Sequence, residues 1–153
     1  MLPLEIEKII KVLHEKNLSC VILKSDGSIV HCRRRGVIDL YELLCSSPET
    51  LNGAVIADKV VGRGAAALMV LGQIKRLYTD VLSRPALQLL GQAGIAADYG
   101  TLVDNIINRN GDDICPVEKL TSQVQSAQEA LPLIAQFIKN MKNNKPEINQ
   151  KTE

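Results

Sequence analysis

Residues 60–71 read VVGRGAAALMVL, with one charged side chain in twelve positions. As a helix, this stretch has no face to offer water after its first turn, so other elements must cover it all round. The neighbouring segments supply them. NGAVIA (52–57) and IKRLYTDVL (74–82) read as strands, being short apolar runs bounded by turn residues. Asp58 follows the first strand and opens the apolar helix. RPALQLLGQAGI (84–95) reads as a second helix ended by glycine. Strands alternating with helices predict an α/β domain whose sheet is covered on both faces.

The flanks extend this plan. Leu4, Ile6, Ile9, Ile10 and Leu13 fall at helical spacing behind Pro3, which suits a helix start, and Asn17 ends the helix. SCVILKSDGSIVHC (19–32) reads as a hairpin turning at Asp26–Gly27, which makes the sheet mixed. A short helix is expected from Val37 and a short strand at AADYG (96–100). Pro116 marks another helix start, and a last helix runs from Thr121 to about Lys142. The expectation is one domain over 1–142 and a disordered tail over 143–153, where NNKPEINQKTE has no apolar pattern.

Composition narrows the function. A chain of 153 residues with 46% hydrophobic side chains can build a core without disulfides. Its four cysteines form no CxxC motif, which predicts reduced thiols and a cytoplasmic protein. No apolar run is long enough to span a membrane. A net charge of +1 with scattered signs gives no reason to expect nucleic acid. The run Arg33–Arg35 lacks the interleaved aromatics of a nucleic-acid surface and reads as a solvated strand end.

Three segments, ADKVVGRGAAALMV, VLSRPALQLL and IINRNGDDICPVEKL, occur in an order that resembles the DUF1893 family over Leu18 to Leu120. The resemblance implies a cytidine-deaminase-like fold, a three-layer α/β/α sandwich with a mixed sheet. It also implies where that superfamily keeps its zinc ligands, at the starts of the two crossover helices. The matching positions are Ala57 and Lys59 on the first, and Ala86 and Leu89 after Pro85 on the second. Alanine and leucine cannot hold zinc, so no metal or other cofactor is expected and hydrolytic deamination by the zinc route is not.

The candidate residues cluster where strands run into helices, the usual ligand edge of such sheets. Asp58 either caps a helix or acts as a proton carrier or nucleophile. Lys59 and Arg63, one turn apart, would share a helix face and hold a phosphate or carboxylate. Gly62 and Gly64 would allow close approach of a strand or ligand. Ser83 either caps the helix containing Pro85 or donates to a ligand. Asn108 and Arg109 lie on a loop that could return to this edge. Asp112 and Asp113 read as solvated. Cys115 stands at an N-cap, where a thiol is activated, with Glu118 at capping-box spacing. His14 and His31 read as isolated surface histidines.

Three functions remain open. The first is a binding domain for a small anionic ligand, a nucleotide or phosphorylated metabolite. The second is a zinc-independent enzyme acting on a nucleotide-like substrate through Lys59, Cys115 and Asp58. The third is a structural module in which the apolar helix and the last helix build a homodimer or higher homo-oligomer.

Overall fold

The computed structural model describes residues 3–34, 36–108 and 110–152, with side chains as far as residue 143. Helix α1 (Leu4–Glu15) starts behind Pro3 and buries Ile6, Ile9 and Leu13 along one stripe. Asn17, at φ 52°, turns the chain out of it. Strands β1 (Cys20–Leu23) and β2 (Ile29–Cys32) form the hairpin. Its turn is held by Asp26 Oδ1, which accepts from the N–H and hydroxyl of Ser28, and Gly27 takes φ +92°. Helix α2 (Ile38–Ser46) and a 3-10 turn (Pro48–Thr50) lead to β3 (Val55–Val61). Two crossovers follow: α3 (Arg63–Gly72) to β4 (Arg76–Ser83), then α4 (Arg84–Gln92) to β5 (Ala96–Val103). After a loop come α5 (Pro116–Leu120) and α6 (Ala127–Thr152).

The five strands lie in the order β2-β1-β3-β4-β5. β1 runs antiparallel to both neighbours, and β3, β4 and β5 are parallel, so the sheet is mixed. One face packs Val21, Val55 and Ala57 under α1. The other packs Ile22, Ile56, Leu77 and Leu82 under a layer that includes α2, α3, α4 and α6. The result is a three-layer α/β/α sandwich. The apolar α3 lies within that second layer, and residues 63–69 are all buried. Its covering comes from the chain itself.

Boundaries differ from expectation at β3, at β5 and at α6, which starts at Ala127 rather than Thr121. β3 does not stop at Ala57: it continues through Asp58 and Lys59 to Val61, pairing Cys20 with Asp58 on one side and Asp58 with Thr79 on the other. Val55, Ile56, Val60 and Val61 favour an extended chain on both sides of the two charges. The helix starts four residues after Lys59, behind the extended Gly62. Asp58 and Lys59 are therefore strand residues, and Lys59 and Arg63 do not share a helix face. β5 also runs past Gly100 to Val103, held by its parallel ladder to β4. The backbone of α6 is helical to Thr152, and the side chains of the expected tail from residue 144 onward lie outside the described residues.

Candidate functional site

The crevice at the carboxyl ends of β3 and β4 is filled by α5. Glu118 is 3% exposed. Its Oε1 accepts from the Arg63 N–H at 2.6 Å and the Ser83 hydroxyl at 3.1 Å, and its Oε2 accepts from the Ile106 N–H. Ser83 is the N-cap of α4, its Oγ accepting from the Ala86 N–H at 3.2 Å. One carboxylate thus serves the starts of both crossover helices, where free N–H groups and the helix dipole favour negative charge. The buried Arg63 guanidinium donates to the carbonyls of Pro85 (3.2 Å) and Val124 (2.7 Å), and its Nε has no partner. Glu118 is not a capping-box residue for its own helix. It turns away to residues 12, 35 and 55 positions distant.

The glycines around Arg63 explain how α5 fits. A Cβ at Gly62 would stand 2.9 Å from Glu118 Oε1, and one at Gly64 would overlap Val117 Cγ1. The close approach that the sequence suggests is real, and the approaching group is the chain's own helix. Gly64→Ala is expected to destabilise the fold by roughly 1–3 kcal/mol in urea unfolding, despite alanine's better helix propensity, because overpacking wins. Val117→Ala in the same chain should recover part of the loss. Additive effects of the two changes would contradict the contact.

The remaining candidates near this edge have local partners. Cys115 is the N-cap of α5, makes no side-chain cap bond, and packs partly buried against the core on the α3 side of the sheet. Asn108 shapes its loop by accepting from the N–H groups of Gly111 and Asp112. Asp113 pairs with Lys119, and Arg84 with Asp104. Arg34 holds Asp39 and Glu42, while Arg35 and the ligand candidate Arg109 lie outside the described residues.

Lys59 belongs to the opposite face. Its Nζ donates to Asn17 Oδ1, just past the end of α1. The ladder pairs Asp58 with Thr79 and Val60 with Val81, which sets Lys59 level with Asp80 on the next strand. His14, in the last turn of α1, places Nε2 at 3.0 and 2.9 Å from the two Asp80 oxygens, and Tyr78 donates its hydroxyl to Oδ1 at 2.9 Å. Burial and the Asp80 carboxylate both push the Tyr78 phenol up. On this face α1 reaches β4 at Tyr78 and Asp80, while on β5 Asp98 is half-buried and Gly100 is exposed. Lys59 and Cys115 therefore sit on opposite faces of the sheet. His14 is exposed but not isolated.

Asp58 is a buried carboxyl within β3. It is 9% exposed, and its Oδ1 accepts from the Val60 N–H at 3.2 Å. Burial pushes its pKa up to about 7, with Asp80 adding to the rise. Cys20, across the ladder, lies opposite Cys32, and that thiol contact, burial and Asp58 push its own thiol up. All four cysteines are free.

Several of these residues escape sequence reasoning. His14 and Asn17 have a weak signal as polar residues flanking the end of an amphipathic helix. Tyr78 and Asp80 stand two apart on a strand and so share a face. Nothing local to Glu118 reveals its three distant donors.

A zinc centre at the starts of the two crossover helices has no donor set there. The helix starts carry Gly62, Arg63, Gly64 and Ala65 on α3, and Pro85, Ala86 and Leu89 on α4. Glu118 reaches the place, but its oxygens are taken by three protein donors. Among the described residues, no group of three or more His, Cys, Asp or Glu could hold a metal. No helix among them is long and apolar enough to cross a membrane.

These features define an α/β sandwich with a mixed sheet whose strand-end crevice is closed by its own helix. The chain belongs to the DUF1893 family, a domain of unknown function whose model matches residues 8–138. The crystal structure of a DUF1893 family protein from Thermotoga maritima shares the fold at a TM-score of 0.79, with 23% identity over 89% of this chain and 92% of that one. RibD from Acinetobacter baumannii overlaps 63% of this chain and 34% of its own, at 18% identity and a TM-score of 0.41. No curated protein matches.

Proposed function

We propose that this chain is a binding domain for a nucleotide or other small phosphorylated metabolite, built on a deaminase-like scaffold and working without hydrolytic zinc chemistry. Lys59 is the cation that meets the ligand. The observation that carries this reading is the environment of Lys59. Its partner is the neutral amide of Asn17, and it is half-buried level with Asp80, with the exposed Gly100 one strand further on. The other described candidate cations are committed: Arg63 is buried on two carbonyls and Arg84 is paired with Asp104. An amide partner adds no counter-charge to the ammonium, and an anion is a stronger acceptor than a neutral oxygen.

Titration calorimetry with inorganic phosphate and AMP at low salt tests the reading. Binding tighter than millimolar is expected, with Kd rising about tenfold in Lys59→Ala, the effect of one lost charge-assisted bond. No binding to either compound, or equal binding by the variant, would remove it.

A further inference from the structure

We infer that the ligand met by Lys59 is a hydroxylated phosphate, either a free sugar phosphate or the sugar-phosphate part of a nucleotide, whose hydroxyl is received by Asp80. The inference rests on the binding reading above and names its ligand class.

The argument starts from charge. Lys59 and Asp80 are level on adjacent strands, and neighbouring strands lie about 4.8 Å apart. A bare phosphate at Lys59 would bring like charge towards the Asp80 carboxylate. A ligand that presents its anion to the lysine and an O–H to the aspartate satisfies both groups at once. A phosphate ester of a polyol has that pattern on a short carbon frame.

Asp80 is prepared for such a donor. His14 and Tyr78 hold its carboxylate from within the chain, so its direction is set before anything binds. A carboxylate has about four acceptor positions. The imidazole and the phenol leave capacity free, and the Asp80 side chain is 32% exposed. Orientation by two neighbours with part of the carboxylate open to solvent is the arrangement expected of a hydroxyl acceptor.

The floor beside it is also clear. The ladder pairs Thr79 with Tyr99 and Val81 with Thr101, which sets Gly100 level with Asp80. A Cβ at position 100 would lie 2.9 Å from the Asp80 carbonyl oxygen and 3.6 Å from the Tyr78 hydroxyl. That position therefore carries no side chain. Further along, Arg76 is held by Asp98 at 2.7 Å, which leaves Lys59 to take the phosphate.

Calorimetry with inorganic phosphate, ribose 5-phosphate and AMP on the wild-type chain and on Asp80→Asn tests the inference. Ribose 5-phosphate is expected to bind about tenfold or more tighter than inorganic phosphate, the scale of one hydrogen bond to a charged acceptor. Asp80→Asn should erase most of that preference while phosphate binding persists. Equal affinities for the two compounds on the wild-type chain would overturn the inference and leave the binding reading standing. So would a preference that survives Asp80→Asn. No binding of any compound would remove both. The wild-type comparison needs no variant to fold. AMP binding well above ribose 5-phosphate would name a nucleotide as the source, and equal binding a free sugar phosphate.

Discussion

Glu118→Ala is expected to lower stability by roughly 3–5 kcal/mol in urea unfolding followed by circular dichroism. The change removes one side chain and strands three groups, the N–H of Arg63, the hydroxyl of Ser83 and the N–H of Ile106. Hydrogen bonds to a charged acceptor contribute about 1.5–3 kcal/mol each, and buried donors left bare add their desolvation cost. The sum is less than three independent bonds, because the vacated space lets water reach some of the donors. A domain of this size has about 5–15 kcal/mol in total, so the variant should sit near the edge of folding. Glu118→Gln separates shape from charge. Its amide oxygen still serves the donors on one side, and a loss of about half is expected. If Glu118→Ala cost less than about 1 kcal/mol, the carboxylate would not be the link between the two helix starts.

The second large effect depends on pH. Asp58 has a pKa of about 7 in the folded chain against an ordinary 3.8, because burial disfavours its charge. Below pH 3.8 the carboxyl is protonated whether the chain is folded or not, and it exerts no penalty. Between that value and about 7 the unfolded chain releases a proton that the folded chain keeps, so stability falls as pH rises. Above about 7 the full cost of a buried charge is present, on the order of 2–4 kcal/mol. Asp58→Asn removes the titration and keeps an oxygen for the Val60 N–H. The variant should match the wild type within about 1 kcal/mol at pH 4.5 and exceed it by roughly 2–4 kcal/mol at pH 8. Unfolding curves at pH 4.5, 6 and 8 measure the difference. A constant offset between the two proteins would mean that Asp58 does not titrate in this window.

Much of the architecture is legible in local sequence. The stripe Ile6, Ile9, Leu13 announces α1, Asp26–Gly27 announces the hairpin turn, and Ser83 with Pro85 announces the start of α4. These signals are short-range, so they survive without knowledge of the fold. The end of β3 is not legible in this way. Asp58 and Lys59 interrupt an apolar run, and charges usually mark the end of a buried strand. Here Asp58 stays within the sheet by bonding to the backbone two residues on, and Lys59 reaches past the edge of α1 to Asn17. That shift moves the lysine from a helix start to the other face of the sheet, and the expected grouping of Lys59 with Arg63 and Ser83 dissolves. Arg63 and Ser83 do meet, around Glu118, whose spacing suggests a local cap. The decisive contacts span 35 and 55 residues and have no periodic trace.

The Glu118 linkage also has a consequence for how the chain is made. Synthesis proceeds from the amino terminus, so both crossovers leave the ribosome before residue 118 exists. Until it arrives, the first amide of α3 and the hydroxyl that caps α4 await an acceptor, and Gly62 and Gly64 border an open seam. The β3-to-α4 unit has the outline of a self-contained βαβα piece, yet its closing group is encoded far downstream. A nascent chain stalled before α5, or a gene split there, would yield a half-domain with two unfinished helix ends. The last third of the sequence thus acts as the quality check on the middle third: the centre of the protein is completed from its far end.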